Sequence, residues 1–196
     1  TDCKVSNRVH EFVKAKATSL NKLRSTIYKR PVVDSYRFTP FWLNILGKPG
    51  VGKSVLMPLI TNYTYDILSK INYDFELRAK DKWCFPVNFC DEYMTHYNGH
   101  YIVTCDDFLQ DTPGTLNSSS ALKMINWISN IPLYTVQAAL EDKGTPFDSK
   151  IIISTSNDKN MNRTSEITSQ VALERRMAMC IEVFEDSKLS KDPLIG

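Results

Sequence analysis

Gly47-Lys48-Pro49-Gly50-Val51-Gly52-Lys53-Ser54 is the stretch on which the reading of this chain turns. It fits the pattern G-x-x-x-x-G-K-[ST], and its surroundings are the ones that pattern needs. Before it, Phe41-Trp42-Leu43-Asn44-Ile45-Leu46 is a compact apolar run that reads as a buried strand. After it, Val55, Leu59, Ile60, Tyr63, Ile67, Leu68 and Ile71 recur at helical spacing across residues 54–71. The glycines permit backbone angles that let several N–H groups of Gly47–Ser54 converge on phosphate oxygens. The helix start adds the positive end of its dipole. Lys53 reaches the β- and γ-phosphates of a nucleotide as a point charge, and the Ser54 hydroxyl is a Mg²⁺ ligand.

Outward from this loop, apolar strands alternate with helices. Tyr101-Ile102-Val103-Thr104-Cys105 is a second buried strand, and Ile151-Ile152-Ile153-Ser154-Thr155 a third. Trp83-Cys84-Phe85 is a short possible strand within the aromatic and acidic stretch 72–100. Residues 121–130 and 165–179 read as helices, with a Pro/Gly/Ser/Asn-rich loop over 111–120. Val5, Val9, Phe12, Val13, Leu20, Leu23 and Ile27 predict a helix over residues 4–29, stopped by Pro31. The alternation implies an α/β fold: a three-layer αβα sandwich with a mostly parallel central sheet, spanning residues 31–196 behind a basic amphipathic segment, 1–30. In such sheets ligands sit at the carboxyl ends of the strands, and all three apolar strands end in polar, chemically capable residues.

The second strand ends on Asp106-Asp107. Mg²⁺ prefers hard oxygen ligands, so Asp106 would hold the ion and Asp107 would position or deprotonate an attacking water. Asn157, just past the third strand, can hold a γ-phosphate and that water; taken alone, Asn157-Asp158 reads equally as the start of a turn. The pair Arg175-Arg176 fits a solvated helix face, or an arginine finger reaching a neighbouring subunit. Cys84, Cys90, His96 and His100 contain a His-x₃-His step, but the cysteine spacing is wrong for a usual zinc knuckle.

Composition sets bounds. The chain has 196 residues, 42% hydrophobic and 23% charged, the range of one large globular domain. No stretch of 18 apolar residues occurs that could span a membrane. Five cysteines without a CxxC argue against a disulfide framework and for a reducing compartment. The net charge of +2 is unevenly spread: Lys4, Arg8, Lys14, Lys16, Lys22, Arg24, Lys29 and Arg30 crowd the first 30 residues, leaving the remainder slightly acidic. Such a segment can bind RNA or an acidic membrane surface, or pack its apolar face on the core. Thr1 in place of Met suggests a product of polyprotein processing or a trimmed piece.

Together, Gly47–Ser54, Asp106-Asp107, the segment Ala139–Lys150 and Ile151–Asn157 resemble the 2C ATPases of picornaviruses and picorna-like viruses, superfamily 3 helicases of the AAA+ class. The likeness covers roughly residues 40–180. It implies an ATPase core of a viral RNA helicase acting in genome replication, with ATP as substrate and Mg²⁺ as cofactor. It further implies single-stranded RNA as partner and a ring-shaped homo-oligomer, a hexamer in the full-length protein, with a monomer expected of this piece alone. Asn157 then matches a γ-phosphate sensor, Arg175 and Arg176 an arginine-finger pair, and Glu141, Asp142 and Lys143 a pore-facing segment with Lys143 on the RNA backbone. The implied location is host cytoplasm, on replication membranes bound through regions outside this chain. Residues 93–101 and Asp107-Phe108-Leu109-Gln110 depart from the vertebrate pattern and fit an invertebrate or marine lineage better. A competing reading is a nucleotide-gated RNA-binding or membrane scaffold that does not unwind. A P-loop kinase would need a lid with several arginines, and only one arginine pair is seen.

Overall fold

A computed structural model describes residues 7–28, 36–71, 83–110, 119–157 and 171–185. Helix α1, Asn7–Tyr28, comes first. Five strands follow, β1 (Phe41–Gly47), β2 (Cys84–Val87), β3 (Ile102–Cys105), β4 (Ile151–Ser156) and β5 (Met179–Val183). Between them lie α2 (Lys53–Ile71), α3 (Ser120–Trp127) and α4 (Val171–Glu174). Residues 111–118 of the loop expected over 111–120, residues 165–170 of the helix expected over 165–179, the ends of the first helix and its stop at Pro31 fall outside the described residues.

The sheet has the order β2-β3-β4-β1-β5, and every pairing in it is parallel. A parallel sheet needs cover on both faces, and the side-chain alternation supplies two cores. Leu43, Ile45, Ile102 and Ile153 point to one face, where Leu56, Met57, Ile60 and Leu68 of α2 pack on them. Trp42, Val103, Cys105 and Ile152 point to the other, under Met124 and Trp127 of α3 and Leu173 of α4. This is the expected three-layer α/β sandwich.

Local chemistry explains the ends of these elements. The Ser119 hydroxyl accepts the Leu122 N–H at 3.3 Å and starts α3. At the other end the Arg37 guanidinium donates to the Asn126 and Trp127 carbonyls at 2.7 and 2.6 Å, a cation on the negative pole of the helix. Pro86 lies in the edge strand β2, where its missing N–H costs least and blunts further pairing.

Three sequence expectations are corrected. The helix expected over 165–179 ends at Glu174, and Met179 already belongs to β5. The reason is that Met179–Val183 lies in register along Leu43–Gly47, so ladder hydrogen bonds with β1 outcompete a short, weakly patterned helix. In α2, five of the residues that signalled the helix, Val55, Leu59, Tyr63, Ile67 and Ile71, are exposed, while Ile60 and Leu68 of the same set pack on the sheet beside Leu56 and Met57. Both faces of α2 are apolar, and periodicity alone does not say which one the sheet takes. In α1, Val9, Phe12, Val13, Leu20 and Leu23 are exposed as well, so the described part of that helix does not bury them in the core. No helix among the described residues is long and apolar enough to cross a membrane.

Tyr97 anchors the tyrosine-rich segment. It stacks on Phe147, meets Phe85 edge-on, and shares a 2.8 Å hydrogen bond with Ser149. Burial pushes its pKa from 10 up to about 12, against the pull of the Ser149 bond. The native protein therefore holds the phenolic proton more tightly than the unfolded chain does. That stabilisation is whole below pH 10 and is lost as pH rises towards 12, and amounts to about 2–3 kcal/mol. Thermal melting between pH 9 and 12, on the order of hourly equilibration, should show a steep alkaline decline that Tyr97→Phe makes shallower. Equal slopes for both proteins would rule Tyr97 out as the cause.

Candidate nucleotide-binding site

The carboxyl ends of β1, β3 and β4 meet at one edge of the sheet, and the residues singled out around the loop meet with them. The chain leaves β1 at Gly47, turns through residues 48–52, and enters α2 at Lys53. Gly47 is required by a neighbour: a Cβ there would stand 2.7 Å from the Val183 carbonyl of β5. Gly52 is required by conformation, with φ at +91°, and its carbonyl accepts the Val55 and Leu56 N–H groups that begin α2. Lys53 is buried, and its ammonium donates to the Gly47 and Lys48 carbonyls at 2.8 and 2.9 Å, which holds the charge at the floor of the loop. Lys48, Pro49 and Gly50 are exposed on its rim, with Val51 half-buried.

Across from the loop, β3 delivers Asp106 and Asp107. The Ser54 hydroxyl donates to Asp106 Oδ2 at 3.0 Å. Two adjacent oxygen ligands of an octahedral Mg²⁺ lie about 3 Å apart, so this pair of hard, solvent-accessible oxygens fits that ion. Asp107 has φ +53°, an uncommon angle for a non-glycine residue that aspartate tolerates better than most. Two bonds hold it there. Its N–H donates to Thr155 Oγ at 2.9 Å, and the next N–H, of Phe108, donates to the Thr155 carbonyl at 2.8 Å.

Strand β4 lies between β1 and β3, so Asn157, directly after Ser156, emerges between the loop and the aspartates. A buried polar chain ties β4 to β1: Trp42 Nε1 donates to Ser154 at 2.8 Å, Ser154 to Asn44 Oδ1 at 2.8 Å, and Asn44 to Ser156 at 2.9 Å. Thr155, Asn44, Ser154 and Ser156 were not singled out in the sequence. Their only signal is that β4 turns polar after Ile153, which does not say which hydroxyl faces which neighbour.

The structure does not bring the arginines or the 141–143 segment to the loop. Strand β5 runs parallel to β1 and begins beside Leu43, and the Ala178 N–H bonds the Trp42 carbonyl. Arg175 and Arg176 therefore lie just before the point, at Ala178, where the chain enters β5 at the amino end of the sheet, about 15 Å along β1 from Gly47. Arg175 is exposed, whereas Arg176 donates to the Ala172 carbonyl at 2.6 Å and closes α4. Glu141, Asp142 and Lys143 are exposed on a projecting loop, around the short 3₁₀ turn Leu140–Asp142. Its base is a small stem in which Thr135 and Phe147 bond Thr145 and Leu133 at 2.9 and 2.8 Å.

The cysteine and histidine set does not assemble: no group of three or more His, Cys, Asp or Glu side chains that could hold a metal occurs among the described residues. A cleft of about 810 Å³ between β2 and α3, lined by Phe85, Tyr93, Trp127 and Tyr134, shares no residue with the nucleotide loop. Cys105, the last residue before Asp106, is fully buried. Burial pushes its thiol far above the ordinary value, and the adjacent carboxylate adds to the shift. Iodoacetamide at neutral pH should therefore modify exposed Cys90 and leave Cys105 untouched until the chain is unfolded, as read by peptide mass spectrometry. Modification of both at one rate would contradict this placement.

The family model for RNA helicases matches residues 43–158, which run from β1 through both aspartates to the residue after Asn157. This chain belongs to the superfamily 3 RNA helicases of picorna-like viruses. The helicase domain is 30% identical to the RNA1 polyprotein of broad bean wilt virus 1 over 82% of the chain and 8% of that polyprotein. It is 25% identical to the RNA1 polyprotein of tobacco ringspot virus over 92% of the chain and 7% of the relative. With the genome polyprotein of rice tungro spherical virus it shares 28% identity over 80% of the chain and 4% of the relative. The helicase chain thus spans less than a tenth of the length of these relatives. Their names are those of plant viruses, so membership of the family does not depend on an invertebrate or marine host.

Proposed function

We propose that this helicase domain is a Mg²⁺-dependent ATPase that works in viral RNA replication as a ring, a hexamer, with active sites between subunits. The observation that carries the reading is the meeting of Ser54 and Asp106, 3.0 Å apart, next to Lys53, which is buried at the floor of the loop. The loop N–H groups and Lys53 bind the phosphates of ATP. Ser54 Oγ and Asp106 Oδ2 would hold Mg²⁺, which would supply positive charge to offset that of the phosphate oxygens. Asp107, set by Thr155, accepts the proton of a water that Asn157 helps to orient. Arg175 stabilises the developing charge in the neighbouring subunit's site, because it stands at the far end of the sheet from its own.

The exposed tip with Lys143 is the proposed contact for single-stranded RNA, through the phosphate backbone. We place this activity in the host cytoplasm at replication membranes, held there by regions outside this chain, with this piece monomeric by itself. The test is Mg²⁺-dependent ATP hydrolysis measured against protein concentration, with a chelator control, and strand displacement by the full-length ring. Hydrolysis rising more than linearly with concentration, together with displacement, supports the helicase. Hydrolysis without displacement by the ring favours the nucleotide-gated scaffold. No chelator-sensitive hydrolysis at any concentration overturns the ATPase.

A further inference from the structure

The two oxygens of Asp106 are held unequally. Oδ2 faces the Ser54 hydroxyl at 3.0 Å. Oδ1 accepts the Thr155 hydroxyl hydrogen and also the Asp107 N–H at 3.2 Å. The directions follow from the groups: a carboxylate oxygen only accepts, so Thr155 donates to it, and the Thr155 oxygen is left to accept the Asp107 N–H at 2.9 Å. Thr155 is itself enclosed. It is fully buried in β4, between β1 and β3, and its carbonyl takes the Phe108 N–H.

We infer that Thr155 is a positioning residue that sets the metal preference of the site: by occupying Asp106 Oδ1 it restricts the carboxylate to one-oxygen ligation and so favours Mg²⁺ over Ca²⁺. The inference rests on the proposed role of Ser54 and Asp106 as the metal pair. Mg²⁺ demands near-octahedral geometry, keeps several waters and takes single carboxylate oxygens. Ca²⁺ is larger, tolerates more ligands and accepts both oxygens of one carboxylate. With Thr155 in place, only Oδ2 is presented on the Ser54 side. Without the hydroxyl, Oδ1 keeps only the longer bond from the Asp107 N–H at 3.2 Å, so the Asp106 carboxylate turns more readily to offer both oxygens, which suits Ca²⁺ better than Mg²⁺.

The test uses the wild-type chain, Thr155→Val, which nearly preserves the packing, and Thr155→Ser, which keeps the hydroxyl. Each is titrated with Mg²⁺ and with Ca²⁺ by calorimetry in the presence of a non-hydrolysable ATP analogue, after thermal melting has verified the fold. The ratio of the two affinities should shift towards Ca²⁺ by about 10- to 100-fold in Thr155→Val, and Thr155→Ser should stay near wild type. If Thr155→Val does not fold, Thr155→Ala is read in its place. An unchanged ratio in a folded variant lacking the hydroxyl overturns the inference, as does an equal shift in Thr155→Ser. Failure of the wild type to bind the analogue with either ion would strike the nucleotide-site reading itself, a result distinct from an unchanged ratio.

Discussion

ATP hydrolysis by the Lys53→Ala chain is expected to fall at least about 10³-fold below wild type at saturating ATP and Mg²⁺. The expectation comes from where the charge is held. Lys53 is 6% exposed, and its ammonium is fixed by the Gly47 and Lys48 carbonyls at 2.8 and 2.9 Å. A preorganised charge in a partly dehydrated loop stabilises developing phosphate charge far more than a mobile surface lysine does. Alanine removes it without disturbing the start of α2, since alanine is the best helix former, so melting should change little. Lys53→Arg should fail nearly as badly, because a planar guanidinium fork does not reproduce the compact ammonium that donates to both carbonyls. Initial rates for the three proteins settle the matter. Equal rates for wild type and Lys53→Ala would mean that the loop is not the catalytic site.

The second large effect is expected in trans. Arg175→Ala should lower the rate of the assembled ring by about 10³- to 10⁵-fold, the range of an arginine finger, while nucleotide binding persists. The parallel register of β5 on β1 brings the chain after Arg175 into the sheet at its amino end, the end opposite the loop. Arg176 should matter less to the rate and more to stability, since its guanidinium already closes α4 on the Ala172 carbonyl at 2.6 Å. Mixing decides between cis and trans. Lys53→Ala subunits carry a dead loop and an intact finger, and Arg175→Ala subunits the reverse. Co-assembled, they should recover a measurable fraction of wild-type activity. A mixture as inactive as its components, despite verified co-assembly, would defeat the trans assignment.

Much of this was legible along the chain because the chemistry is local. Gly47–Ser54 carries strand end, turn, charge and hydroxyl within eight residues, and each residue type answers one physical demand of a phosphate. Asp106-Asp107 was legible for the same reason, as carboxylates at the end of an apolar run. Strand β5 was not legible: Met179–Val183 has little pattern of its own, and becomes a strand because β1 offers it a ladder. The α2 helix was found by residues most of which turn out to face solvent, Ile60 and Leu68 excepted, since an apolar side chain signals a helix equally well on either face.

Thr155 shows the limit most clearly. It stands 48 residues from Asp107, and only the placement of β4 against β3 brings its hydroxyl onto both aspartates. From the sequence alone came the fold class, the G-x-x-x-x-G-K-S motif, the paired carboxylates at the end of β3 and the family likeness, all properties of short segments whose residue types and spacing are sufficient. The tertiary structure alone decided the strand order, which puts Asn157 between loop and aspartates. It also decided the unequal surroundings of the two Asp106 oxygens and the separation of Arg175 from its own site. These depend on which strands become neighbours and in what register, and that is set by burying two faces of one sheet at once.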